Sequence, residues 1–92
     1  MNPEIRENLR LALLQILEAN PSQFGLTNRV IGFQLPRYGI SNSVAQALDV
    51  ELRYLQGKGL VAVVGKQISP ENTAWIITSE GRDFIAQQSP QQ

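Results

Sequence analysis

Residues 57–65, GKGLVAVVG, are the feature that most constrains the fold of this chain. The residues before them have helical spacing. Gly57 and Gly59 can take the left-handed conformation that ends a helix, and Lys58 lies favourably near the negative end of the helix dipole. Residues 60–64 form a short valine-rich run between glycines, which predicts a strand. A helix should therefore end here and pass directly into a strand.

A second strand and a last helix follow. Residues 73–78, TAWIIT, are β-branched and aromatic, and the segment before them has turn composition, so the two runs should pair as an antiparallel hairpin containing Trp75. Thr78 is placed to cap a helix whose Phe84 and Ile85 face the core. Residues 89–92 have nothing to bury and are expected to be disordered.

The chain begins with a helix predicted over residues 3–19, capped by Asn2 and with Pro3 in its first turn. Its predicted core face consists of Ile5, Leu9, Ala12, Leu13 and Ile16. Leu11 and Leu14 should project from nearly the opposite side, among polar residues. Single exposed leucines are common, but a domain of 92 residues has a small core, so this pair is also a candidate dimer interface.

The middle of the chain contains two more predicted helices. Thr27 should cap a short helix over residues 28–35, with Val30, Ile31 and Leu35 facing inward. Pro36 breaks this helix, and Ser41 opens another over about residues 41–57. Its predicted core stripe is Val44, Leu48, Leu52 and Leu55. Its predicted outward residues are Ser43, Gln46, Ala47, Val50, Arg53 and Tyr54. Two helices joined by a short turn form a helix-turn-helix pattern.

The full order is helix, helix, helix, hairpin, helix, an α+β fold that is mostly α. The segments LRYLQGKGLV and WIITSEGRDFI resemble transcription regulators of the PadR and MarR types. In those proteins a recognition helix ends in a Lys-Gly-Leu-Val step, and a two-stranded wing returns into a Leu-Thr-x-x-Gly-Arg helix start. The resemblance covers roughly residues 27–86. It implies a single winged helix-turn-helix domain over residues 1–88 that binds double-stranded DNA and dimerises through its terminal helices.

The distribution of charge agrees with DNA binding. The chain is neutral overall, but residues 27–66 hold five cations and two carboxylates, a net charge of +3, and the remainder carries −3. Phosphate neutralisation supplies most nonspecific affinity for DNA. The alternative is that an imbalance of this size is ordinary scatter.

If the predicted helix over residues 41–57 enters the major groove, its N-terminal half should face the bases. Ser43 and Gln46 can hydrogen-bond base edges, and Ala47 and Val50 can touch a thymine methyl group. The residues expected to contact phosphates are Arg37, Asn42, Arg53 and Lys66.

Other function classes have less support. The chain contains no Cys and no His, which removes thiolate nucleophiles, sulfur-based zinc sites and the commonest general base. It has neither paired carboxylates nor a glycine-rich phosphate loop, so we expect no enzyme activity, metal or cofactor. No apolar run approaches the roughly 18 residues of a membrane span, and the expected location is the cytoplasm. The rival hypothesis is a protein-interaction or assembly module that docks a partner on Ala47, Val50 and Tyr54.

Overall fold

The structure is a computed structural model that describes residues 2–65 and 73–88. Its helices are α1 (Pro3–Ala19), α2 (Asn28–Gln34), a 3-10 helix (Leu35–Tyr38), α3 (Asn42–Ala45), α4 (Leu48–Gly57) and α5 (Ser79–Gln88). Its strands are β1 (Leu26–Thr27), β2 (Val61–Val63) and β3 (Ala74–Ile77). The described residues therefore form a mostly helical α+β fold, as predicted. Lys66 and the tail at 89–92 lie outside the described residues.

Four helices begin at the N-cap residues predicted from the sequence. The side-chain oxygens of Asn2, Thr27, Ser41 and Thr78 each accept a hydrogen bond from the backbone N–H three residues later, at 2.8 to 3.4 Å. Each bond satisfies one of the N–H groups that a helix start leaves without a partner. These four predictions are confirmed.

The sheet has three antiparallel strands in the order β1-β3-β2. The predicted pairing of the two hairpin strands is confirmed, with Val63 opposite Trp75. Strand β1 was not predicted, and it places Leu26 opposite Trp75 on the other side of β3. Trp75 therefore lies at the centre of the sheet, and its side chain is fully buried.

Helix α1 packs against α4, α5 and β3 and supplies much of the core. Leu9, Leu13 and Ile16 are fully buried, as predicted. Two predicted core residues are not buried, because Ile5 is 37% exposed and Val30 is 40% exposed. Ile5 lies in the first turn of α1 and lines a groove. Val30 lies two residues from both Asn28 and Gly32, which face Asp49 and Leu48 of α4, so helix geometry directs it away from α4.

The predicted helix over 41–57 is wrong as a single element, because α3 ends at Ala45 and α4 begins at Leu48. Between them, the N–H of Ala47 donates to the carbonyl of Val44 at 3.0 Å, and Ala47 has φ −85° and ψ 4°. This tight turn interrupts the helix without Gly or Pro. It lets residues on both sides of the break pack against the core, namely Val44, Ala45, Ala47 and Leu48.

Candidate nucleic-acid interface

The outward side of α4, together with the turn before it, carries two of the four predicted base-reading residues, Gln46 and Val50, and one predicted phosphate contact, Arg53. Gln46 lies in the turn before α4, and Val50 and Arg53 lie on α4; all three are exposed, at spacings of four and three residues, and we call them the α4 outer face. Leu52 and Leu55 are buried on the opposite side of the helix, which fixes this orientation. The α4 outer face is therefore available to a partner.

The remaining residues predicted on this helix differ in accessibility. Asn42 and Ser43 are exposed in α3, and the Ser43 hydroxyl lies 3.2 Å from the hydroxyl of the capping Ser41. Ala47 is half-buried and packs against the core. A thymine methyl group could therefore reach Val50 more easily than Ala47.

Arg53 is less independent than the sequence suggested. Its Nε donates to Asp49 Oδ2 at 3.0 Å, one turn earlier on α4. Asp49 Oδ1 also accepts from Asn28 Nδ2 at 3.0 Å. The hydrogen bond from Arg53, and then that from Asn28, lower the pKa of Asp49 despite its partial desolvation. A negative charge thus lies beside a residue that was expected to contact phosphate, and the spacing of four residues was the signal that could have found it.

Asn28 in turn accepts a hydrogen bond from the sheet. The indole Nε1–H of Trp75 donates to Asn28 Oδ1 at 2.7 Å. Local sequence patterns could not show this contact, because the two residues are 47 positions apart. Trp75, Asn28, Asp49 and Arg53 therefore form a continuous chain of hydrogen bonds from β3 through α2 to α4.

Tyr54 packs on a neighbouring helix. The guanidinium carbon of Arg10 lies 3.6 Å from the centre of the Tyr54 ring, within the range of a cation–π contact. Arg10 Nε also donates to Glu51 Oε1 at 2.6 Å, and the Arg6 Nε lies 3.6 Å from Glu51 Oε2. Tyr54 and Glu51 thus join α4 to α1. Of the three residues proposed to dock a protein, Val50 is the most exposed.

The positive charges divide into two groups. Arg6, Arg10 and Arg53 form ion pairs with carboxylates. Four other described cations, in α2, in the 3-10 helix, just after α4 and in α5, form no ion pair with any residue of ranges 2–65 and 73–88, namely Arg29, Arg37, Lys58 and Arg82. The segment with the positive excess in the sequence therefore keeps charge that a polyanion could neutralise.

The proposed dimer residues are not equivalent. Leu14 is fully buried in the single chain, so the prediction that it lies on a polar surface is wrong. The physical reason is that α4, α5 and β3 all pack on α1 and cover more than the single face that helical spacing predicts. Leu11 is half-buried where two grooves meet, one beside Tyr38 and the other beside Phe84.

No cluster of three or more potential metal ligands occurs in the part of the chain that the structure describes. Within the same residues, none of the helices combines the length and apolar character needed to cross a bilayer.

Comparisons with protein families, curated proteins and solved structures found no match to this chain. The interpretation of its function therefore depends on its own residues and geometry.

Proposed function

We propose that this chain is a winged helix-turn-helix domain that binds double-stranded DNA and regulates transcription. In this proposal α4 lies in the major groove, and β2 and β3 are the wing strands. The observation that carries it is the exposed α4 outer face on the same segment as the cations Arg29 and Arg37, which have no carboxylate partner among the described residues. A surface with hydrogen-bonding side chains flanked by available cations is what DNA recognition requires.

An α-helix with its side chains is about 10 to 12 Å across, and the major groove of B-DNA is about 12 Å wide, so α4 can enter it. Its 10 residues would present about 15 Å of helix to the bases. Gln46 would hydrogen-bond an adenine edge, and Val50 would touch a thymine methyl group. Arg37 and Asn42 would contact phosphates beside the helix start, and Lys66 keeps its proposed phosphate contact.

The proposal includes a homodimer. One small positive surface neutralises few phosphates and supplies only modest affinity for DNA, and a second subunit would add an equal surface. Leu11, which lines the groove between α1 and α5, is an apolar residue available for such an interface. It is flanked along α1 by the exposed Glu4, Glu7 and Glu18. Packing α1 directly on its symmetry mate would bring like charges together, so α5 should contribute to the contact.

A protein-interaction module is the second candidate, and exposed apolar side chains favour it. Phe33 is 71% exposed and Val50 is 66% exposed, on neighbouring helices α2 and α4. Exposed large apolar residues often mark protein interfaces. In this alternative the same surface would bind a protein in place of DNA.

Fluorescence anisotropy with mixed-sequence duplex DNA across a salt series separates the two candidates. DNA binding predicts an affinity that falls steeply with salt, and Arg37→Ala should reduce the slope of log affinity against log salt by about one. The matched control is Arg82→Ala, which removes the same charge from α5 and should leave the slope unchanged. Absence of binding at about 50 mM salt would contradict the DNA proposal.

A further inference from the structure

The hydrogen bonds that connect Trp75 to Arg53 have only one possible polarity. An indole N–H can only donate, so the Asn28 atom 2.7 Å away must be its oxygen. The amide NH₂ of Asn28 then faces Asp49, and it donates to Oδ1 at 3.0 Å. Asp49 is left with Oδ2 for the Nε of Arg53. Each bond thus fixes the direction of the next.

Trp75, which begins this series of hydrogen bonds, is held rigidly. The Trp75 side chain is fully buried, and its backbone lies between Leu26 and Val63 at the centre of the sheet. A surface ion pair between residues one helical turn apart contributes little order by itself. Here Asp49 is held from a second side by Asn28, which is itself held by Trp75. The orientation of Arg53 is therefore set by the sheet as well as by its own helix.

This arrangement suits one type of DNA contact better than another. Asp49 offsets the charge of Arg53. Arg53 is therefore a weaker phosphate contact, because binding to phosphate depends mainly on charge. With Nε occupied, the four terminal N–H groups of Arg53 donate to no residue in 2–65 or 73–88, and the side chain is 52% exposed. A guanidinium held by Nε presents these groups as an oriented fork. Bidentate contact with guanine O6 and N7 needs such an orientation.

We propose that Arg53 reads a guanine in the major groove and that Asn28, Asp49 and Trp75 are positioning residues that hold it for this contact. The proposal rests on the DNA-binding function above and assigns Arg53 to a base edge, where the sequence suggested a phosphate.

The first test is the base discrimination of the full chain. A preferred duplex is selected from a randomised pool, and anisotropy compares it with duplexes that have one G·C pair replaced. For wild type, replacing the pair read by Arg53 should weaken binding by about tenfold. Arg53→Lys keeps the charge but loses the fork, so this discrimination should largely disappear. Arg37→Ala should weaken binding to both duplexes by the same factor.

The second test asks whether Asn28 acts through Arg53. Asn28→Ala should reduce discrimination at the same base pair by about fivefold and add nothing in the Arg53→Lys background, because coupled residues are not additive. The matched control is Asn20→Ala, which removes another amide contact between helices, the 3.0 Å bond from Asn20 Nδ2 to Gln34 Oε1. This control should keep full discrimination.

Asp49→Ala provides a test that does not depend on the folding of the Asn28 variant. It removes a negative charge and the acceptor for Arg53 together. Affinity for mixed DNA should therefore rise while discrimination at the guanine falls. A variant that merely lost stability would show no such opposite changes.

The outcomes separate this inference from the function on which it rests. Salt-independent or absent binding by wild type overturns both. Salt-dependent binding with full discrimination in Arg53→Lys overturns only the guanine contact. A third outcome is that Arg53→Lys loses discrimination while Asn28→Ala and Asp49→Ala both keep it in full. This outcome overturns only the positioning roles of Asn28, Asp49 and Trp75.

Discussion

Gly81 shows how one residue determines the approach of two elements. It is buried in the first turn of α5, and an added Cβ there would overlap the carbonyl oxygen of Leu60 and lie 2.7 Å from Ile77 Cγ1. That same carbonyl accepts the N–H of Thr78 at 3.1 Å, so it cannot move away without loss of this bond. The glycine in the segment TSEGR is therefore required by close packing at the start of the helix.

We expect Gly81→Ala to lower the free energy of unfolding by about 3 kcal/mol, the upper end of the usual cost of overpacking. Urea unfolding measures this change. Gly57→Ala is the matched control, because nothing lies within 4 Å of a Cβ added there. The control should be neutral or slightly stabilising, and equal unfolding midpoints for the two variants would contradict the explanation.

Asp49 gives a prediction about pH at the same scale. Its hydrogen bonds with Arg53 and Asn28 lower its pKa in the folded chain. A group whose pKa is lower in the folded than in the unfolded chain stabilises the fold at pH values above its unfolded pKa, about 4 for Asp. This stabilisation is lost as the pH falls through the pKa of the folded state. Wild type should therefore exceed Asp49→Asn in thermal midpoint at pH 7, by a margin that shrinks toward pH 3. A margin that stays constant over this range would show that the charge of Asp49 has no role.

At the scale of elements, the contact between α1 and α4 includes one buried carboxylate, that of Glu51. Glu51 is 4% exposed, and Arg10 supplies its short hydrogen bond while Arg6 lies farther away and is 46% exposed. A buried charge that loses its main partner is costly, whereas an exposed ion pair contributes little.

Arg10→Ala should therefore lower the free energy of unfolding by about 3 kcal/mol, and Arg6→Ala by less than about 1 kcal/mol. Chemical denaturation of the two variants under identical conditions provides the comparison. Losses of similar size would mean that both arginines share the charge of Glu51 equally.

The elements also show which parts of the fold local sequence can predict. The caps at Asn2, Thr27, Ser41 and Thr78 were predictable because each bond spans three residues. Strand β1 was not, because two residues show no alternation and the strand exists only through its pairing with β3. The break between α3 and α4 has no Gly or Pro to announce it, and it follows from packing on both sides of the turn.

Some features of the candidate site were also predictable from local sequence, and others were not. The spacing of helix residues correctly predicted that Gln46, Val50 and Arg53 are exposed. The pair of Asp49 and Arg53 was within reach of the sequence, but the bond from Trp75 to Asn28 depends on the folded sheet.

At the scale of the whole molecule, the buried position of Leu14 changes how dimerisation must be tested. Leu14→Glu would place a charge in the core and should unfold the chain. Leu11→Glu should instead shift a dimer toward monomer while the helical circular dichroism stays unchanged. Sedimentation velocity measures this shift, and Gln23→Glu is the control, because it adds the same charge at an exposed residue between α1 and β1 that lines neither groove beside Leu11. A sedimentation coefficient unchanged by Leu11→Glu would contradict a dimer through this surface.

The central position of β3 also has a consequence for synthesis on the ribosome. The strand that completes the sheet is made after α4, so a nascent chain can form the helices from α1 to α4 while Trp75 is still inside the exit tunnel. During this interval Asn28 lacks its indole donor, and β1 has no strand to pair with. The surface around Arg53 therefore reaches its final order only after residues 74–77 have emerged.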